Sequence, residues 1–197
     1  MDSFDRLIIE CDTSIAFFTE ELKMLNSRYN NGEQLLSFNA LITITLLDLY
    51  VILKNLCKAK TDWEKIFYIK HEYLVIHESI KKLRPDTGIT NIQQIIDSKY
   101  PELKVQYHKI QDDIDLYKSR VEYKKIQDTR NFNAAHIESR FNKYYKTAFS
   151  LDGEEAAKLC VDYVTILEDA NKIAIALKKD YIEKEIQKNT ISPPPLL

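Results

Sequence analysis

The chain has 197 residues, a formal net charge of −2 and only three glycines. That length supports one domain with a full hydrophobic core, and the scarcity of glycine argues against a sheet-rich fold built on tight turns. With no G-x-G-x-x-G segment and no Walker-type loop, the nucleotide-cofactor enzymes that depend on those backbone cradles are excluded. The three cysteines, Cys11, Cys57 and Cys160, are widely spaced and odd in number. Each falls on an apolar helical stripe, so buried reduced thiols in a reducing compartment are expected. No Cys/His pair has metal-ligand spacing, and neither a metal nor a cofactor is expected.

Apolar residues recur at helical spacing almost throughout. Phe4, Ile8, Cys11, Ile15, Phe18, Leu22, Leu25 and Tyr29 mark one stripe of a first helix. Asn30-Asn31-Gly32 is expected to end it, with Gly32 as a left-handed cap. Leu35–Cys57 follows as a helix apolar on most sides. Its length matches a bilayer crossing, but Asp48 lies well inside and Asn39, Thr43 and Thr45 add polarity, so a core helix explains it better. Met1–Arg6 has no basic stretch leading into an apolar run, and a cytoplasmic location is expected.

Thr61-Asp62-Trp63-Glu64 reads as a capping box opening a third helix to about Leu83, stopped by Pro85 and the Asp86-Thr87-Gly88 turn. A short helical piece spans about Thr90–Ser98. Pro101 then starts a long helix whose seam is Leu103, Tyr107, Ile110, Ile114, Tyr117 and Val121. The polar cluster Asp128–Asn133 interrupts the pattern. A second capping box, Asp152-Gly153-Glu154-Glu155, opens a last helix carrying Ala156, Leu159, Cys160, Tyr163, Leu167, Ala170, Ala174, Leu177 and Tyr181 on one face. The expectation is an all-α, up-and-down bundle of five or six helices. It forms a single domain over 1–188, with an N-terminal helical region at 1–34 and a core at 35–188, followed by a flexible Pro-rich tail at 189–197.

One segment carries chemistry: Arg130-Asn131-Phe132-Asn133-Ala134-Ala135-His136. An arginine stays charged at any working pH and clamps a phosphate through a planar fork. A histidine can take a proton from a ribose 2′-hydroxyl or give one to a leaving oxygen near neutral pH. Together they suffice to cut RNA without a metal, with Asn131 hydrogen-bonding a phosphate oxygen or orienting one of the pair. On one uninterrupted helix Arg130 and His136 would lie about 240° apart, so a break near Asn131–Asn133 is required to bring them together. Were Asn133 the N-cap, His136 would sit in the first turn, where the helix dipole favours a phosphate and a neutral imidazole.

Between Lys118 and Lys146 there are eight basic residues and three acidic ones, so the positive charge of a slightly acidic chain gathers around the motif. Such a patch suits a polyanion, and Lys124, Lys125, Arg140, Lys143 and Lys146 are the expected RNA contacts. Phe132, Phe141, Tyr144, Tyr145 and Phe149 interleave with them as packing residues or stacking platforms for unpaired bases. His71-Glu72 and His77-Glu78 resemble pieces of a zinc-protease motif, but the two histidines are six apart and face different ways. His108 reads as a polar surface position.

The order and spacing of Arg130, the polar Asn131 and His136, with long helices before and a capped amphipathic helix after, resemble the HEPN superfamily of all-α domains from toxin–antitoxin, abortive-infection and antiviral systems. The resemblance covers about residues 35–188, and only the short motif is diagnostic. It implies a metal-independent endoribonuclease with catalytic Arg130, Asn131 and His136 acting through 2′-hydroxyl attack. The alternative it implies is a catalytically inactive module that binds RNA or a protein such as an antitoxin. A helical scaffold in which the motif is coincidental is the third reading. Acid–base cleavage uses two proton carriers. With one Arg/His pair per chain, a homodimer that supplies a second His136 is expected, as HEPN-like proteins commonly build composite sites. No membrane partner is expected.

Overall fold

The computed structural model describes residues 3–25, 30–84, 92–131 and 141–191, with side chains for all of these except 21–25, 30–33, 141, 143 and 182–191. These residues form eight α-helices and one short 3-10 turn, with no strand among them: α1 (Ser3–Leu25), α2 (Asn30–Leu56), α3 (Asp62–Leu83), α4 (Ile92–Lys99), the turn Pro101–Leu103, α5 (Lys104–Ser119), α6 (Val121–Thr129), α7 (Phe141–Phe149) and α8 (Gly153–Ile191). The all-α class therefore holds, and the helix count exceeds the expected five or six.

One cause of the higher count is a break that hydrophobic periodicity hides. Arg120 is extended (φ −67°, ψ 145°), which ends α5 and starts α6 on a new phase. Tyr107, Ile110, Ile114 and Tyr117 of the expected seam are buried, but Val121 is 85% exposed. After the break the inward positions become Tyr123, Ile126 and Thr129. The Arg120 guanidinium lies against the Tyr117 ring and pairs with Asp162 at 2.5 Å, so the kink is tied to α8.

α2 forms the centre, with α1, α3 and α8 packed around it. It buries more side chains than any other helix, among them Phe38, Ile42, Leu46, Leu49 and Leu53. Gln34–Leu56 is long and apolar enough to cross a membrane by length and composition, and 56% of that window is buried within the bundle. Asn30-Asn31-Gly32 is the first turn of α2 and not the stop of α1. Asparagine suits a helix start as well as an end, and the pattern alone does not separate the two.

The Thr61 capping box forms as read: Glu64 N–H donates to Thr61 Oγ1 at 3.2 Å, and Thr61 N–H donates to Glu64 Oε2 at 2.8 Å. Pro85–Gly88 lie outside the described residues. At α8, Asp152 Oδ1 accepts from Glu155 N–H at 2.8 Å. That helix reaches Ile191, so residues 189–191 belong to it and not to a tail; residues 192–197 lie outside the description. Cys11 and Cys160 are buried, whereas Cys57 is exposed because α2 ends one residue before it.

Two tyrosines lock α3, α5 and α8 together. Tyr163 Oη and Ser79 Oγ share a hydrogen bond of 2.8 Å, and Tyr117 Oη donates to the Leu159 carbonyl at 3.1 Å. α6 then lies along α3, anchored by the fully buried Ile126, whose burial contributes about 1.5–3 kcal/mol. This seating of α6 on α3 positions the site.

Candidate functional site

α6 ends where the motif begins. The Arg130 backbone N–H is shared between the carbonyls of Ile126 and Gln127, and Arg130–Asn131 form a π-type turn. Asparagine is a poor helix-interior residue because its side chain competes for the backbone, and such widened turns often mark functional positions. Of the expected break at Asn131–Asn133, Asn131 alone is described, and it stands in the π-type turn that continues α6. His136, Phe132, Asn133 and Arg140 lie outside the described residues, as does the Lys143 side chain.

The half-buried Arg130 guanidinium is held on two sides. Nε and Nη2 both donate to Glu78 Oε1, at 2.9 and 2.8 Å, and Nη1 donates to Asn131 Oδ1 at 3.2 Å. Partial burial pushes the Glu78 carboxyl up, but the Arg130 hydrogen bond and the charges of Lys81 and Arg130 outweigh it and hold the carboxyl below its ordinary value. Arg130 and Asn131, adjacent in sequence, therefore act as one polar unit fixed to α3.

Beside this unit, α3, α6 and the end of α5 enclose an open groove of about 410 Å³. Asn131 lines it, together with Lys118, Lys124 and His77. Neither Lys118 nor Lys124 is held in an ion pair among the described residues. Asp128 is the carboxylate on its wall. His77 Nδ1 lies 3.3 Å from Tyr123 Oη, and the two rings stack with centroids 6.3 Å apart. Burial lowers the His77 pKa from its ordinary value; Glu78 acts against this, while Arg130, Lys81 and Lys118 add to the lowering. At neutral pH the ring is held as the free base.

Of the expected RNA contacts, Lys124 borders the groove. Lys125 Nζ is engaged by both carboxylate oxygens of Glu155, each at 2.7 Å. Lys146 is exposed on α7. The structure adds His77 and Lys118, which sequence reasoning misses. Along the chain the nearest arginine to His77 is Arg84, seven residues on, and Arg130 comes near it only through the packing of α6 on α3. A weak signal is present in the sequence, because Trp63, Lys70 and His77 are seven residues apart and share one face of α3. Lys70 donates to Tyr144 Oη at 3.1 Å, and Trp63 meets Phe149 edge-on at 4.9 Å, with Tyr145 stacked on Phe149 at 4.3 Å. Trp63, Tyr145 and Phe149 remain 51%, 44% and 41% exposed. His108 is a surface group 3.8 Å from Asp97, and His71 Nδ1 lies 2.9 Å from the Phe67 carbonyl.

A larger open groove of about 1020 Å³ lies between α1, α2 and α8, walled by apolar groups including Phe17, Leu46 and Ile175. It holds no histidine, and Lys178 lies over the Phe17 and Phe18 rings. No set of three or more His, Cys, Asp or Glu side chains suited to a metal occurs among the described residues. Among the described residues the geometry defines an all-α bundle with a basic, histidine-bearing groove at the C-terminal end of α6. No family model, no curated protein and no solved structure matches the chain.

Proposed function

We propose that the protein is a metal-independent endoribonuclease of HEPN type, with its site at the C-terminal end of α6. The observation that carries this reading is the Arg130–Asn131 unit: a fixed cation and an amide, hydrogen-bonded to each other at a π-type turn, with Asn131 lining a basic groove. Arg130 neutralises the pentacoordinate phosphate and Asn131 holds one of its oxygens. His136, a few residues further on, moves a proton during 2′-hydroxyl attack. The products are a 2′,3′-cyclic phosphate and a 5′-hydroxyl.

The surroundings suit single-stranded RNA. Trp63 is two heptads before His77 on α3, roughly 20 Å along the helix, a span of a few nucleotides. Lys70 stands between them, and the exposed Trp63–Phe149–Tyr145 cluster offers ring faces at the far end for unpaired bases. Lys118 and Lys124 supply charge to the backbone at the near end.

One contact favours a second reading. Glu78 occupies two donors of Arg130, as it would in a domain that binds RNA or a protein partner without cutting. Incubating the pure protein with random-sequence RNA in excess EDTA separates the two. The nuclease reading expects cleavage that leaves cyclic-phosphate ends and is lost in His136→Ala. Intact RNA with retained binding identifies the inactive module.

A further inference from the structure

The larger groove plays no part in the RNA reading and has a chemistry of its own. Its floor is one face of α2, where Asn39, Thr43, Leu46 and Tyr50 follow one another at helical spacing. α1 and α8 each pack on α2 and form the two walls. Contacts along the groove fix the register. Asp5 pairs with Lys54, Cys11 lies beside Tyr50, and Tyr50 Oη donates to Glu168 Oε1 at 3.1 Å. Further along both walls, Lys178 lies over the Phe17 and Phe18 rings. α1 and α8 therefore run antiparallel to α2, and Asn39 stands at the same end as Lys178 and Lys179.

The two ends differ in charge. At the Tyr50 end the groove carries the carboxylates of Glu10 and Glu168. At the Asn39 end the Lys178 ammonium sits 3.8 and 4.6 Å from the Phe17 and Phe18 ring centroids, a cation held over apolar surface. Asn39 is 1% exposed, and its Nδ2 has no hydrogen-bond partner among the described residues. Thr43 Oγ1 donates to the Asn39 backbone carbonyl at 3.0 Å and lies 3.5 Å from Oδ1, so it leaves Nδ2 unanswered. A buried amide donor of this kind needs an acceptor.

We propose that this groove binds an unbranched alkyl carboxylate of medium chain length. The carboxylate lies against Asn39 Nδ2 and Lys178, and the chain runs over Leu46 toward Tyr50. The amide N–H and the ammonium give the head charge-assisted bonds. Glu10 and Glu168 repel a carboxylate from the far end and so fix the orientation. From Asn39 to Tyr50 the floor is roughly 16 Å long, a length that an extended medium chain spans. A helix docked from another protein engages its own backbone carbonyls and leaves Asn39 Nδ2 without an acceptor, which favours the small ligand.

The test titrates the full chain with dodecanoate, below its micelle concentration, by calorimetry. One site per chain is expected. Dodecyltrimethylammonium, with the same tail and the opposite charge, should bind at least about tenfold more weakly. Decanoate, shorter by two methylenes that an open groove only partly dries, should bind roughly fivefold more weakly. Asn39→Leu keeps the volume and removes the donor. It should weaken dodecanoate about tenfold and melt no lower than wild type, since an orphaned buried amide is gone. The second variant, Lys178→Gln with Lys179→Gln, leaves the buried floor intact. It should weaken dodecanoate about tenfold and bind the ammonium probe no less well than wild type does. Equal affinity for the two probes, or both variants within about twofold of wild type, would overturn the proposal and leave only an unselective apolar surface. No binding of dodecanoate at millimolar concentration would also overturn it. A dimer in sedimentation that Phe17→Glu dissociates would then assign the groove to a second copy of this chain. None of these readouts involves RNA, so their failure leaves the nuclease reading standing.

Discussion

Two carboxylates six residues apart on α3 face opposite worlds. Glu72 is fully buried among Tyr73, Tyr117 and Cys160, and neither of its oxygens has a hydrogen-bond partner among the described residues. Burial pushes its carboxyl well above the ordinary range, which favours the uncharged acid. Glu78 follows the groove-lining His77, is bound by Arg130 and is held below its ordinary value, so it is charged. One helix thus carries an uncharged acid into the core and a charged one to the site. The difference lies in what packs against each face: α8 and α5 bring apolar and phenolic groups, whereas α6 brings a guanidinium.

The largest expected effect comes from removing that guanidinium. Arg130→Ala should lower RNA cleavage by about 10²–10³-fold, the usual cost of losing one preorganised charge at a phosphoryl or acyl centre. It also leaves Glu78 with Lys81, 3.7 Å away, in place of the Arg130 fork. Arg130→Ala/Glu78→Gln should therefore recover RNA affinity, measured by anisotropy with 2′-O-methyl RNA, while cleavage stays low. Equal affinity in the single and double variants would mean that the Glu78 charge does not reach the ligand, and the contrast between the two carboxylates would lose its functional half.

How much of the molecule is legible in its sequence follows the same division. Core positions announce themselves through period: spacing alone places Ile110, Ile114, Leu159, Tyr163 and Leu167 inward, and all are buried. The Thr61 box is local chemistry and forms as read. Phase breaks are not local in this sense. Arg120 has no proline or glycine to mark it, and its extended backbone is supported by Asp162, 42 positions away. Glu78 and His77 are invisible as site residues for the same reason, since their partners Arg130 and Tyr123 arrive from another helix. Arg130 and Asn131 stand out in the sequence as neighbours in a short motif, and the structure joins them by a hydrogen bond at the end of α6.

A smaller effect tests the basic wall. Lys118→Glu together with Lys124→Glu should weaken binding of single-stranded RNA about tenfold at moderate salt. It should flatten the dependence of log Kd on log salt by roughly 0.7 for each phosphate that the wall no longer neutralises. As a control in the other groove, Ile175→Trp on α8 should leave affinity and cleavage unchanged, since that residue is half-exposed on the apolar cavity wall. An unaltered salt slope in the double lysine variant would show that the strand does not run through the 410 Å³ groove.

The last effect is read on stability rather than on RNA, and it separates the two carboxylates by pH. Glu72 has a raised pKa in the fold, so its contribution to stability is complete below the unfolded value of about 4.3 and is lost as pH rises from there toward the folded value. Glu78 has a lowered pKa, so its contribution is present above the unfolded value and is lost as pH falls through the folded one. The two slopes oppose each other in different windows, which makes them separable by mutation. Glu72→Gln keeps the volume and removes the titration. In urea unfolding it should match wild type near pH 4 and be the more stable of the two at pH 8, because wild type alone must keep a proton on a buried acid that its unfolded chain has released. Glu78→Gln should lose stability at pH 8 and converge with wild type at pH 3, by a smaller amount because its carboxyl is partly solvated. Parallel curves for wild type and Glu72→Gln across that range would mean that water or a rotamer change solvates Glu72, and that the core face of α3 is less dry than its packing implies.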